Sequence, residues 1–380
     1  MNPPSFAHLD SLSNFLAMEV FSRAKELEAG GRDVIHLEFG EPDFQAPAVA
    51  LEALQESLAA HPAGYTVTQG TLELREAICR KYQRDYGVAV HPEQVLVSGG
   101  SSILLFLAIR VLAPPGSEVL ITDPGYACYD NLVHLAEATP VRVPLRHKDG
   151  FQLDPDAVRQ AITPRTRALL LNSPTNPTGV VFRPESLREL TALGIPVISD
   201  EIYADLTYGS RPQSILEFTE EAIALNGFSK YYAMTGWRLG YLIAPDSWMP
   251  SLVKMHQNLM ISTTHFVQDA GVRVLDEGGL ECKRMKAEFD RRRKFLLEKF
   301  RTIGLDPGYD PTGAFYVFLK YRNPKKSLAL ALEILGKTGV ALSPGVDFGQ
   351  GGEGFLRFSY ANSTENLGIA VDRLAESGLL

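Results

Sequence analysis

The feature that most constrains the fold is a series of apolar segments that alternate with helical patterns between residues 95 and 244. This alternation is typical of a mostly parallel sheet whose strands are connected by crossover helices. Several segments are uninterrupted, as at Ala168-Leu169-Leu170-Leu171, which favours strands that are covered on both faces. The pattern predicts an α/β fold with seven strands, near residues 95–98, 118–122, 141–143, 168–172, 196–199, 222–227 and 240–244.

The chain has 380 residues, which is long for a single ordinary core, so we expect two domains. Outside the alternating block, the two chain ends carry further patterns of mixed helix and strand type. We therefore predict a large domain over residues 48–281 and a smaller α+β domain built from residues 1–47 and 282–380. The basic run Arg291-Arg292-Arg293-Lys294 is interpreted as the solvated face of a helix.

Composition limits the class of protein. Hydrophobic residues make up 45% of the chain and charged residues 22%, which is ordinary for a folded soluble protein. The net charge of −8 disfavours broad nucleic-acid binding. Cys79, Cys128 and Cys282 lie far apart without metal-ligand spacing, and neither a signal peptide nor a membrane-spanning run is recognisable. We expect a cytoplasmic protein without metal, membrane or nucleic-acid partners.

Polar, small or aromatic residues follow five of the predicted strands. Ligands of open α/β sheets bind beyond the carboxyl ends of the strands, where these residues would meet. The sequence therefore predicts one site at that edge of the sheet. Its candidate segments are Ser98-Gly99-Gly100-Ser101-Ser102, Asp123-Pro124-Gly125-Tyr126, residues 172–179, Ser199-Asp200-Glu201-Ile202-Tyr203 and Gly227-Phe228-Ser229-Lys230.

Lys230 and Arg238 stand between two apolar runs. An amine withdrawn from water tends to lose its proton and to become a nucleophile. The guanidinium of Arg238 stays charged and needs an anion. A reactive amine beside an anion-binding cation indicates pyridoxal phosphate, although two solvated side chains on a surface loop would give the same letters.

The turn Gly99-Gly100-Ser101-Ser102 joins a predicted strand to a helix. Backbone N–H groups and the helix dipole favour a phosphate at such a place. The same residues also simply begin helices, so the turn alone is a weak signal. It matches neither a dinucleotide fingerprint nor a Walker loop, which disfavours nucleotide binding.

Asp200 ends an apolar strand, where a carboxylate needs a cation or several donors. A protonated pyridine nitrogen would satisfy it, whereas a helix cap is the alternative. Tyr203 and Asn176 are candidates for the ring hydroxyl of the cofactor, and Tyr126 for stacking on its ring. Simple packing for the tyrosines and turn formation for Asn176 remain the alternatives.

Arg357 lies in the apolar strand-like segment Phe355-Leu356-Arg357-Phe358-Ser359. A guanidinium in such surroundings requires a carboxylate, held by two hydrogen bonds where possible. The carboxylate of an amino acid or oxo acid would meet this requirement. An internal Asp or Glu partner would meet it equally well.

The pattern Ser229-Lys230-x5-Gly236-x-Arg238-x-Gly240 resembles the class I and II aminotransferases, pyridoxal-phosphate enzymes of fold type I. The resemblance extends from Gly40-Glu41-Pro42-Asp43 to Arg357-Phe358-Ser359. It implies that Lys230 forms the Schiff base with the cofactor and later moves the proton, in a ping-pong reaction between an amino acid and a 2-oxo acid.

The resemblance also implies further roles. It adds Ser229 and Ser102 to the cofactor-binding residues and the backbone of Gly40 to the substrate-binding ones. Tyr65 resembles the tyrosine that reaches the phosphate of a partner subunit, which implies a homodimer. The full set of implied site residues is Gly40, Tyr65, Gly100, Ser101, Ser102, Tyr126, Asn176, Asp200, Tyr203, Ser229, Lys230, Arg238 and Arg357.

One departure concerns the substrate. In some aspartate-using relatives a lysine follows the Gly-Gly turn and serves the distal carboxylate, whereas this chain has Ser101 and Ser102. We therefore expect small neutral or aromatic donors over dicarboxylic ones. A carbon–sulfur lyase, an aminocyclopropane carboxylate synthase-like enzyme and a non-enzymatic regulator that binds the cofactor remain alternatives, because they share the cofactor-binding residues.

Overall fold

The computed structural model describes residues 9–60, 62 and 64–380. The strands are β1 (Ile35–His36), β2 (Val95–Ser98), β3 (Glu118–Asp123), β4 (Thr139–Pro144), β5 (Thr166–Asn172), β6 (Val197–Asp200), β7 (Ala222–Gly227), β8 (Gly240–Ile243), β9 (Tyr316–Lys320), β10 (Val340–Ala341), β11 (Ser343–Pro344) and β12 (Phe355–Ser359). The helices are α1 (Leu16–Ala29), α2 (Ala48–Ala60), α3 (Leu72–Tyr86), α4 (Ser101–Leu112), α5 (Tyr129–Leu135), α6 (Pro155–Ala161), α7 (Pro184–Thr191), α8 (Met249–Met260), α9 (His265–Glu277), α10 (Gly279–Thr302), α11 (Ser327–Thr338) and α12 (Thr364–Ser377).

The seven predicted strands form one sheet in the order β2-β8-β7-β6-β5-β3-β4. Strands β3 to β7 pair in parallel, and β8 is antiparallel to both of its neighbours. Apolar cores lie on both faces: one includes residues of α4, α5 and α8, and the other residues of α3, α6, α7 and α9. The predicted α/β architecture with a mostly parallel sheet is confirmed.

The two chain ends share a further core. Strand β1 pairs in parallel with β10, and β12 lies between β11 and β9 in an antiparallel sheet. Val20 and Ala24 of α1 belong to the same buried cluster as Phe289 of α10 and Leu367 of α12. The domain limits themselves stay a prediction, and the limit at residue 282 falls inside the continuous helix α10.

The interpretation of the basic run as a solvated helix face is wrong for two of its four residues. Arg291 and Lys294 are exposed, but Arg292 and Arg293 are buried. Arg292 pairs with Asp43 and Glu288, and Arg293 pairs with Asp290 and Asp310. Acidic partners make the burial of these charges possible. Two of the partners, Asp43 and Asp310, lie outside α10, so the sequence of the helix alone does not reveal them.

The carboxyl edge of the large sheet and strand β12 both border one cavity. Asn172 at the end of β5 lies beside Asp200 at the end of β6, so the ends of these strands are level. Strand β12, from the C-terminal part of the chain, contributes Arg357 to the lining of the same cavity. Among the residues described, no helix combines the length and the apolar character that crossing a membrane requires.

Candidate active site

A cavity of about 330 Å³ lies at the carboxyl edge of the large sheet. Most of the predicted site residues line it, although they come from segments far apart in the sequence. These residues are Gly40, Ser101, Ser102, Tyr126, Asn176, Asp200, Tyr203, Ser229, Lys230, Arg238 and Arg357. Gly100 lies directly behind this lining, against the Arg238 side chain, and Tyr65 lies elsewhere.

The amine of Lys230 is aimed into the cavity by a hydrogen bond of 2.6 Å that its Nζ donates to the carbonyl oxygen of Gly40. Burial, helped by the guanidinium groups of Arg357 and Arg238, lowers the pKa of Lys230 to about 8. The carboxylates of Glu41 and Asp200 oppose this shift. About a tenth of this amine is therefore unprotonated at pH 7, far more than of a free lysine, and the unprotonated form is the one that a nucleophile or a base requires.

One wall of the cavity suits an anion. Helix α4 begins directly at Ser101, and no side chain caps its first turn. Gly100 has a φ of +99°, and a Cβ at this position would collide with the Arg238 guanidinium. Gly240 allows a second close approach, since its Cβ would lie 2.7 Å from the backbone nitrogen of Ser101.

Arg238 adds a positive charge to this wall. Its backbone has a φ of +57°, in the left-handed region, and its Nη1 donates to the carbonyl oxygen of Thr235 at 3.1 Å. Within the described parts of the chain it forms no salt bridge. Free helix N–H groups beside such a cation make a binding site for a phosphate.

Asp200 is buried on the opposite side of the cavity. Its Oδ2 accepts a hydrogen bond of 2.9 Å from the hydroxyl of Tyr129, and its Oδ1 accepts the N–H of Ile202 at 3.2 Å. Burial raises the pKa of Asp200 to about 6 despite these two donors. A cationic ring nitrogen facing this carboxylate would restore its charged state.

The hydrogen bond from the N–H of Ile202 shows that Asp200 also accepts a backbone donor from the segment that follows it, as the helix-cap alternative predicts. The sequence did not reveal Tyr129, since the short helix α5 was not predicted. Tyr126 and Tyr129 are three residues apart in a turn that leads into α5, where the N–H of Tyr129 donates to the carbonyl oxygen of Tyr126 at 3.0 Å. The rings of Tyr126 and Tyr129 meet edge to face, with centroids 5.4 Å apart.

Arg357 is buried and held by backbone and amide oxygens. Its Nη1 donates to Oδ1 of Asn176 at 2.9 Å, and its Nη2 donates to the carbonyl oxygen of Glu38. The structure shows no salt bridge from Arg357 to any described Asp or Glu, and its buried Nε has no partner among the described residues. The guanidinium is therefore equipped to receive an external carboxylate.

The sequence analysis missed Tyr316, Phe39 and Leu105, which also line the cavity. Tyr316 of β9 hydrogen-bonds through its hydroxyl to that of Tyr203, at 2.8 Å. Phe39 and Leu105 contribute apolar surface, and so does Phe15, immediately before α1. The start of α1 is fixed by the carboxylate of Asp347, which accepts the N–H groups of the next two residues.

Tyr65 is 84% exposed and lies outside the cavity in its own chain. It borders a separate depression together with Thr263, Thr264 and His265. Nearby, Ile261 at the end of α8 is also exposed. The structure of one chain therefore does not bring Tyr65 to the other predicted site residues.

Taken together, these groups match pyridoxal phosphate. Lys230 would supply the amine for the cofactor's carbonyl group, Asp200 the partner of its ring nitrogen, and the start of α4 with Arg238 a site for its phosphate. Tyr126 lies beside the space between these groups and can cover the ring. The fold and the site thus define a pyridoxal-phosphate enzyme of fold type I.

Comparison with known proteins gives the family. The model of the class I and II aminotransferases matches residues 32–374, so the chain belongs to this family and is a pyridoxal-phosphate-dependent aminotransferase. It is 38% identical over 371 residues to a (5-formylfuran-3-yl)methyl phosphate transaminase of Methanocaldococcus jannaschii, covering 96% of this chain and 97% of that protein. It is 35% identical to an aspartate aminotransferase of Pyrococcus horikoshii, covering 94% and 93%.

Solved structures agree with this assignment. A mutant of the aspartate aminotransferase of Thermus thermophilus superimposes with a TM-score of 0.94 at 34% sequence identity, covering 100% of both chains. The relatives thus differ in the substrates that their names give, while the fold is shared.

Proposed function

We propose that this aminotransferase moves the amino group between a small neutral or aromatic amino acid and a 2-oxo acid, with Lys230 as the catalytic amine. The observation that carries the proposal is that Lys230 and Arg357 both hydrogen-bond to the same short segment, residues 38–40. Lys230 binds the carbonyl of Gly40 and Arg357 that of Glu38. The Cα atoms of Glu38 and Gly40 are at most about 7 Å apart, because only one residue lies between them. A carboxylate held by Arg357 would therefore have its α-carbon near the amine of Lys230.

The charges in the cavity support a donor without a second carboxylate. Among the described residues that line it, the cations are Lys230, Arg238 and Arg357, and each already has a task. The remaining wall is apolar at Phe15, Phe39 and Leu105 and uncharged at Ser101 and Ser102. Its other charged residues besides Asp200 are Glu38 and Glu41, which would repel a second carboxylate. A distal carboxylate would therefore be desolvated without a cationic partner, which is costly.

When bound, pyridoxal phosphate accepts the amino group and withdraws electrons from the substrate α-carbon. The proposed roles of the chain's residues follow from their places in the cavity. Asp200 keeps the ring nitrogen protonated, Tyr203 and Asn176 hold the ring hydroxyl, and Tyr126 covers the ring. The phosphate is held by Gly100, Ser101, Ser102, Ser229 and Arg238.

Lys230 changes its task during the reaction. Its Nζ would hold the bound cofactor until a substrate amine takes its place. The freed Nζ would then take the proton from the substrate α-carbon and later give it back, while Arg357 and Asn176 would hold the carboxylate still. The oxo acid leaves before the second substrate enters, so ping-pong kinetics are expected.

A panel of amino donors with 2-oxoglutarate as acceptor tests this proposal, with each half-reaction followed by the visible absorbance of the cofactor. We expect higher kcat/KM for neutral or aromatic donors than for aspartate. Preferential use of aspartate would overturn the substrate preference. Release of ammonia and pyruvate from cysteine-type substrates, without amino transfer, would identify a carbon–sulfur lyase instead.

The exposed position of Tyr65 supports a homodimer in which this side chain reaches the phosphate of the partner subunit. Val67, Leu259 and Ile261 are likewise exposed, and apolar groups of this kind favour an interface. A symmetric dimer would place each Tyr65 at the other subunit's cavity.

Mixed dimers provide the test of this arrangement. Lys230→Ala and Tyr65→Ala subunits should each be impaired alone. In a reassorted mixture, about a quarter of all sites should be intact, because half of the dimers are mixed and each contains one site with both native residues. Absence of any recovery, or a monomer in sedimentation, would contradict the proposal.

A further inference from the structure

Tyr316 occupies a central position that the proposed mechanism leaves without a role. It is the first residue of β9, it is fully buried as a residue, and it lines the cavity. Its hydroxyl lies 2.8 Å from the hydroxyl of Tyr203. Its ring lies against Arg357, with the guanidinium carbon 4.4 Å from the ring centroid. One side chain thus touches both the cofactor side and the substrate side of the cavity.

We propose that Tyr316 is a positioning residue that acts through Tyr203 on the cofactor and through Arg357 on the substrate carboxylate. The inference rests on the proposed roles of Tyr203 and Arg357. Its two contacts come from different parts of the side chain, the hydroxyl and the ring face, and can therefore be separated by substitution.

The hydroxyl contact fixes Tyr203. Burial raises the pKa of both tyrosines, so both remain protonated and one must donate to the other. If Tyr203 donates to the ring oxygen of the cofactor, its own oxygen accepts the proton of Tyr316. Hydrogen bonds in such a chain strengthen one another, so Tyr316 makes Tyr203 the better donor.

The position of this hydroxyl depends on Gly40. A Cβ on that residue would collide with the hydroxyl oxygen of Tyr316. The same glycine provides the carbonyl that receives the amine of Lys230. The absence of a side chain at residue 40 is therefore required for the contact between Tyr316 and Tyr203.

The ring contact fixes the plane of Arg357. The ring of Phe348 also packs on this guanidinium, with the guanidinium carbon 4.9 Å from its centroid. Aromatic faces attract a guanidinium and hold it flat. The Nη1 and Nη2 groups are already hydrogen-bonded to Asn176 and to the carbonyl of Glu38, and the two rings fix the plane of the guanidinium. The edge that carries the unpartnered Nε therefore has a fixed orientation in which it can receive a carboxylate.

Three variants separate the two contacts. Tyr316→Phe removes only the hydroxyl, Phe348→Leu removes only a ring on Arg357, and Tyr316→Leu removes both contacts of Tyr316. The readouts are the dissociation constant of pyridoxal phosphate, the pH midpoint of the visible absorbance of the loaded enzyme, and the calorimetric dissociation constant of 3-phenylpropionate, an unreactive carboxylate.

For Tyr316→Phe we expect the cofactor to bind about three- to tenfold more weakly, as loss of one hydrogen bond implies. The absorbance midpoint should move to higher pH, because a weaker donor stabilises the anionic ring oxygen less. Binding of 3-phenylpropionate should stay within about twofold of the wild type, since the ring face remains. Phe348→Leu should give the reverse pattern, with about tenfold weaker binding of the carboxylate.

Tyr316→Leu should show both losses. Thermal unfolding of each loaded variant identifies any loss of folding, and Tyr316→Phe keeps the packed ring, so this variant remains decisive. Wild-type cofactor affinity and midpoint in Tyr316→Phe would overturn the proposal. Equal loss of both ligands in Tyr316→Phe and Phe348→Leu would reduce these residues to general packing and would also overturn it.

Tyr203→Phe and Arg357→Lys distinguish failure of this inference from failure of the proposed function. If Tyr203→Phe leaves the midpoint unchanged, or Arg357→Lys binds 3-phenylpropionate normally, the underlying roles are wrong and the inference falls with them. If both reference variants respond but Tyr316→Phe behaves as the wild type, the inference alone fails.

Discussion

The replacement of Arg357 by lysine tests the substrate side of the site most sharply. The native guanidinium donates to Asn176 and to the carbonyl of Glu38, and it keeps a buried Nε without a described partner. Lysine retains the positive charge but loses the planar fork. It cannot serve these two oxygens and a bidentate carboxylate at the same time.

The magnitude follows from the contact that is lost. A hydrogen bond to a charged group contributes about 1.5–3 kcal/mol, which corresponds to roughly ten- to 150-fold in affinity. We expect KM to rise by about this factor for both the amino acid and the oxo acid, because both present the same carboxylate. The affinity for the cofactor should remain within about twofold, since a replaced substrate contact removes little from the phosphate site.

Steady-state kinetics of both half-reactions, with spectroscopic titration of the cofactor, measure these effects. Arg291→Lys is the matched control, because Arg291 is exposed on α10 and pairs with Glu288. An unchanged KM in Arg357→Lys would refute the argument. Arg357 would then be a structural tie between β12 and the segment at Glu38.

Three further predictions concern the amine of Lys230, the glycine that receives it and the start of α1. Covalent capture of the cofactor by the apoenzyme should accelerate as pH rises through about 8, where Lys230 loses its proton. Glu41→Gln should lower the pH midpoint of this rate, because it removes a negative charge that raises the pKa of Lys230. A midpoint near the pKa of a free lysine would contradict the argument. Gly40→Ala should weaken the binding of carboxylate and cofactor, because the added Cβ would collide with Tyr316. Gly336→Ala is the control: its added Cβ would meet no atom within 4 Å, so it should be neutral or stabilising in thermal unfolding. Normal binding in Gly40→Ala would refute the steric reasoning. Asp347→Ala should cost about 1 kcal/mol in chemical denaturation, because two N–H groups at the start of α1 lose their acceptor, and an unchanged free energy of unfolding would show that the cap is dispensable.

The strand pattern predicted the large sheet well for a physical reason. Strands covered on both faces need continuous apolar runs, and such runs leave few other interpretations. The polar residues at their ends then meet at one edge by topology, so Asp200, Lys230 and Asn176 could be placed in one cavity without coordinates. The short helix α5 offered no comparable signal, and Tyr129 was missed with it.

Contacts between distant segments could not be predicted from the sequence. Tyr316 lies in an apolar strand and is indistinguishable there from a core tyrosine, because its partners Gly40, Tyr203 and Arg357 come from three other parts of the chain. The burial of Arg292 and Arg293 was hidden for the same reason. Their partners Asp43 and Asp310 are brought close only by the fold.

Borohydride reduction of the loaded enzyme, followed by peptide mapping, tests the central claim most directly. Two other lysines compete in this test. Lys286 is half-buried and burial lowers its pKa, but it does not line the cavity. Lys81 is buried, but Asp205 and Asp85 raise its pKa against the effect of burial. Lys81 therefore stays charged, and the account predicts the reduced pyridoxyl group on Lys230 alone, with no visible absorbance in Lys230→Ala. A label on Lys81 or any other lysine, or full turnover by Lys230→Ala, would contradict the account.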